Sequence, residues 1–105
     1  MNFRIKYREA ILRASQVTGI HSSEWLTRDR SIQATRLRWA LWYQLNKIGW
    51  RPSEIAFAAK YKHKTITHGL SQMQFIIDNP SSYAAEKQAV EIATNDEIKQ
   101  KIMAI

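Results

Sequence analysis

The sequence predicts an all-α fold, a compact helical domain of about five to six helices, and three observations predict it. Apolar residues recur at helical spacing along most of the chain, strand-like alternation never persists, and glycine is confined to positions 19, 49 and 69. At 105 residues the chain has room for one hydrophobic core but not two, so residues 1–105 read as a single domain. A hydrophobic content of 45%, with four Trp and three Phe, argues for a packed globule rather than a disordered tail.

The elements follow in order. From Phe3 to Thr18, Tyr7, Ile11, Ala14 and Val17 fall on one helical face, and Gly19 ends the helix as a residue that accepts the left-handed conformation. Ser22 to Leu26 suggests a short capped turn or helix. A loop from Thr27 to Ile32 carries Arg28 and Arg30. A long central helix runs from about Gln33 to Ile48, with Leu37, Leu41, Leu45 and Ile48 on its main apolar stripe, and Gly49 stops it. Pro52 followed by Ser53 and Glu54 is a helix start, because Pro presets φ where no N–H is needed. Ile55, Ala58 and Ala59 give this short helix an apolar face. After a tight basic turn, Ile66, Leu70, Met73 and Ile77 recur as the buried stripe of the next helix. Residues 78–82 break the chain; a helix from about Ser82 to Ala93 follows. Thr94-Asn95-Asp96-Glu97 has the capping-box pattern of a last helix ending near Ile105. Trp25, Trp42, Trp50 and Phe57 are expected to fill the core.

Charge is distributed unevenly. The net charge is +7, yet Met1 to Lys64 holds thirteen Lys or Arg against four acids, whereas Thr65 to Ile105 holds three against five. The window from Arg28 to Lys64 alone carries nine basic residues and only Asp29 and Glu54. Charge serving solubility alone would not concentrate in this way; a localised positive face is the footprint of polyanion binding. Several function classes recede. The chain has no Cys, and His63 and His68 are five apart rather than at the i, i+4 spacing of a helical metal site, so no metal or other cofactor is expected. No phosphate-cradling glycine loop exists for a nucleotide, no carboxylate cluster serves a nuclease, and no catalytic residue set is identified; an enzyme is not expected. No apolar run approaches the ~20 residues that span a bilayer, and the first residues lack the apolar stretch of a secretory signal. The expected location is cytoplasmic, with the nucleoid.

Two helices around a basic turn, the second beginning with hydrogen-bonding and cationic residues, are the ingredients of a helix-turn-helix at approximately residues 52–77. Here the chain resembles the C-terminal DNA-binding domain of the bacterial replication initiator DnaA. The resemblance is carried by His63-Lys64-Thr65-Ile66-Thr67-His68-Gly69 after Glu54-Ile55-Ala56, and upstream by Arg28-Asp29-Arg30-Ser31-Ile32 and Arg36. The family signature reads Arg-Asp-His-Thr-Thr-Val-Leu-His-Ala. This chain has Tyr61-Lys62 in place of Arg-Asp, Lys64 in place of the first Thr, and a turn about one residue shorter. The similarity covers roughly Ala10 to Ile77 and implies a shared fold, double-stranded DNA as partner, and a role in replication or transcription control, including on a mobile element.

Site residues follow from both arguments. His63, Lys64, Thr65 and His68 are the candidates for base contacts at the start of the recognition helix; by resemblance, His63 and Thr65 match positions that contact bases. Lys can donate to guanine O6 or N7, and Thr can offer its hydroxyl or methyl. Thr65 could instead cap the helix, His68 pack at its flank, and Gly69 permit close helix packing. Arg28 matches the family's minor-groove arginine, with Arg30 equally placed for that role. Arg36 matches a phosphate contact; Arg38, Lys60 and Lys62 complete the candidate backbone contacts, which position rather than specify. Trp39 and Tyr43 lie opposite the central helix's main stripe. They are expected to be buried by neighbouring helices, the alternative being an exposed patch for a protein partner.

Overall fold

The computed structural model describes residues 2–105, which form seven α-helices and no strand. They are α1 (Phe3–Thr18), α2 (Ser22–Leu26), α3 (Ile32–Lys47), α4 (Pro52–Ala59), α5 (His63–Asp78), α6 (Ala84–Ala93) and α7 (Asp96–Met103). The all-α expectation holds. The helix count exceeds the expected five to six because Ser22–Leu26 is a true helical turn, capped by the His21 ring accepting from the Ser23 N–H. Three helix starts shift. Ser31 caps α3 one residue early, accepting from the Ala34 N–H; α6 starts at Ala84 rather than Ser82; and Asn95, not Thr94, caps α7.

The central helix α3 packs against α2, α4, α5 and α6, while α1 covers α2, α4 and α7. The radius of gyration, 12.4 Å, matches the ~13 Å of a compact chain of about 100 residues. Trp25, Trp42, Leu41, Leu45, Ile55, Ile66 and Met73 are sealed in the core. Trp50 is half-buried with its ring edge-on to Phe3. Phe57 departs from expectation: it is 55% exposed and carries the Arg4 guanidinium 4.4 Å from its ring. In an eight-residue helix whose inner face is taken by Ile55, Ala56 and Ala58, position 57 has to point outward.

Two buried polar side chains of α3 hold the connecting chain in place. Gln44 donates through Nε2 to the carbonyls of Ile92 (2.8 Å) and Asn95 (3.0 Å), fixing the α6–α7 turn. Arg38, 7% exposed, donates to the carbonyls of Thr27 (2.7 Å) and Asp29 (2.9 Å), fixing the loop before α3. Such pairing is the rule for buried polar groups, because an unpaired one costs its lost hydration. Tyr7 accepts from the Trp42 indole N–H at 3.0 Å, and burial pushes its phenol up to about 12.

Candidate nucleic-acid interface

Helix α4 begins with Pro52 in its first turn, and the Glu54 carboxylate accepts from the Arg51 N–H at 2.8 Å. It ends at Lys60, whose φ of 60° is the only positive φ at a non-glycine among the described residues. That left-handed residue reverses the chain, and three residues, Lys60 to Lys62, join α4 to α5. Tyr61 anchors the turn. Its ring meets Trp42 edge-on with centroids 5.2 Å apart, and the Arg28 guanidinium stacks on it at 4.3 Å. The turn is therefore clamped between the core and the 27–31 loop.

The start of α5 is chemically unusual for this chain. Lys62 occupies its cap position, has no acceptor atom, and makes no side-chain cap. No acidic residue lies in the first turn. Every other described helix has at least one of these compensations. His63, Lys64, Thr65 and His68 are all exposed, as are Lys60 and Lys62. Thr65 is not the cap, so its side chain stands free for a ligand. His68 combines both of its expected settings: it is exposed, and its ring lies edge-on to Trp39 at 5.8 Å. Gly69 is settled by packing. A Cβ there would lie 2.7 Å from Trp39 Cδ1 and 2.9 Å from Trp42 Cε3, so only glycine lets α5 approach α3 this closely.

The candidate arginines separate into distinct settings. Arg38 is corrected: it is buried beneath the loop and spends its guanidinium on loop carbonyls, so it is not a backbone contact. Arg28 is exposed but turned onto the end of α4, donating through Nη2 to the Lys60 carbonyl at 2.6 Å. Arg30 is exposed and forms no ion pair with any described residue, which leaves it the freer of the two loop arginines. Arg36 is half-buried over the Trp39 ring (4.3 Å), 3.4 Å from the Glu86 carboxylate, with its Nε buried and unpartnered. The aromatic pair follows the expected burial, and the alternative of an exposed patch is set aside. Trp39 is 9% exposed beneath Arg36, and the half-buried Tyr43 donates its hydroxyl to Gln74 Oε1 at 2.9 Å.

Only two ion pairs form among the described residues, Arg13–Glu9 and Arg36–Glu86. Arg28, Arg30, Lys60, Lys62 and Lys64 thus present uncompensated charge around one turn and one loop. Among those residues no cluster of His, Asp or Glu could hold a metal, and no helix is long and apolar enough to cross a membrane. Sequence reasoning missed Tyr61 as the anchor of the turn; an aromatic residue between two lysines was the available signal. No protein family, curated protein or solved structure was found to match the chain.

Proposed function

We propose that this chain is a sequence-specific double-stranded DNA-binding protein that lays the first turn of α5 in the major groove. One observation carries the reading: α5 starts with no cap and no acid, and is ringed by cations that lack partners. A helix start holds about half a positive charge, and adding Lys62 and Lys64 there costs the free protein stability. A polyanion returns that cost, and the exposed His63, Lys64 and Thr65 supply groups able to discriminate base edges. Arg30 is the better placed minor-groove arginine, since Arg28 is engaged with α4 and Tyr61. Lys60, Lys62 and Arg36 serve the backbone, Arg36 after exchanging Glu86 for a phosphate. The initiator resemblance adds a role in replication or transcription control.

The preferred site is expected to differ from the initiator family's. Where the family has an acceptor-only Asp before the signature His, Lys62 only donates, so a contact to a cytosine amino group is lost. Selection of duplexes from a random pool identifies the site. With about five phosphates neutralised, log K falls against log salt with a slope near −4 to −5. Lys64→Ala and Thr65→Ala lose about 1–3 kcal/mol on the selected site and little on random DNA. Affinity indifferent to salt removes the proposal; salt-tolerant capture of an acidic protein, with no duplex binding, replaces it with a protein-interaction role.

A further inference from the structure

We propose that the cleft between α1, the Arg28 loop and the end of α4 is a second phosphate site, seating a backbone phosphate of the same duplex that α5 reads. The inference rests on the duplex reading above and extends it to a part of the chain, Arg4 and Arg8, that precedes the initiator-like segment.

The cleft has a volume of about 300 Å³, and Arg4, Arg8, Arg28 and Lys60 line it above Tyr7 and Ala58. No carboxylate lines it. Arg4 and Arg8 are four residues apart and so share a face of α1, an arrangement of like charges that works against the helix taken alone. Two of the four cations are held in place. Arg4 Nε donates to the Phe57 carbonyl at 3.5 Å, and Arg28 Nη2 donates to the Lys60 carbonyl at 2.6 Å.

A purely structural purpose for the cluster is to answer the negative end of α4, where these carbonyls lie. The magnitudes do not match. The end of a helix is equivalent to about half a negative charge, whereas four cations stand around it. Arg4 and Arg28 each spend one nitrogen on a neutral carbonyl and keep further N–H donors, in the fork geometry that suits a phosphate. Arg8 and Lys60 are exposed and form no ion pair with any described residue. Lys60 lines the cleft and also belongs to the three-residue turn that leads into α5, so the two groups of cations share a residue. That shared residue is what lets one sugar–phosphate strand serve both sites in this proposal.

The test titrates a duplex of mixed sequence with the full chain over a range of salt concentrations, reading fluorescence anisotropy. Arg8 is exposed and holds no other element, so its replacement leaves the fold in place. Arg8→Ala is expected to weaken binding several-fold on every sequence and make the slope of log K against log salt shallower by about 0.9, one phosphate's worth. Arg8→Lys retains most of the slope. Lys87→Ala removes the same charge from α6 and leaves the slope unchanged. An unaltered slope in Arg8→Ala, alongside weakened binding of Lys64→Ala to the duplex selected from a random pool, overturns the cleft and leaves the α5 reading standing. Equal effects of Arg8→Ala and Lys87→Ala reduce the cleft to net charge and also overturn it. Absence of salt-dependent duplex binding by the unaltered chain overturns both.

Discussion

Helices α5 and α7 begin in opposite ways. At α7, the Asn95 side chain accepts from the Ile98 N–H at 2.9 Å, and Asp96 and Glu97 place two negative charges in the first turn. Each of these features favours a helix start, and α7 needs nothing from outside. At α5, Lys62 and Lys64 set positive charge against the positive end of the dipole, with no side-chain cap. Helix α5 survives because it is held from elsewhere: Ile66, Met73 and Ile76 are buried, Gly69 lies against two Trp rings, and Tyr61 is clamped in the preceding turn. The difference teaches that a helix in this molecule can be stabilised in two ways. One helix is finished internally, and the other is kept in position by tertiary contacts while its start stays without a side-chain cap.

The largest expected effect comes from releasing the loop whose Arg28 stacks on Tyr61. Arg38→Ala deletes two charge-assisted hydrogen bonds to the 27–29 backbone and is expected to cost about 3 kcal/mol, read by urea denaturation. A loss below about 1 kcal/mol would mean that the loop holds itself. Gly69→Ala comes next. Forcing a methyl between Trp39 and Trp42 is expected to destabilise by about 1–3 kcal/mol despite the better helix propensity of alanine, and a gain in Tm would break the packing argument.

The sharpest comparison is also the smallest in energy. Asn95→Ala is expected to cost about 1 kcal/mol, whereas Lys62→Asp supplies the missing cap and is expected to stabilise by a similar amount. On duplex binding the order reverses: Lys62→Asp loses tenfold or more in affinity, on the order of 1.4 kcal/mol, and Asn95→Ala loses nothing. Parallel changes in stability and affinity for Lys62→Asp would show that the start of α5 is not held open for a ligand.

The features legible in the sequence were those that local chemistry decides. Gly19 ends α1 with φ of 75°, Pro52 opens α4, and Ile66 and Met73 are buried, with Leu70 and Ile77 of the same stripe half-buried, because helical spacing alone puts those residues on one face. Local patterns carried less where partners are distant in the chain. Arg38 looked like one more surface cation beside Arg36, since the Thr27 and Asp29 carbonyls that claim it lie nine to eleven residues away across a loop. Phe57 looked like core on its chemistry, but the small size of α4 leaves its ring outside. At Asn95 the error was one of register: both Thr94 and Asn95 can cap, and α6 uses Thr94 for its own end, where its hydroxyl donates to the Val90 carbonyl. Arg4 and Arg8 attracted no attention because their charge becomes a cluster only when α1 meets the end of α4.

The contact of Gly69 with Trp39 also bears on how this chain's own history can be traced. At Gly69 the space that a methyl would take is filled by the Trp39 and Trp42 rings. Residues 39 and 69 are therefore one choice written at two places thirty positions apart. Sequences descended from this chain should change them together: those that keep both Trp rings keep glycine at 69, and those with Ala at 69 carry a smaller side chain at 39. Such covariation would mark the lineage more faithfully than the exposed basic residues of the turn, which no packing contact of this kind constrains.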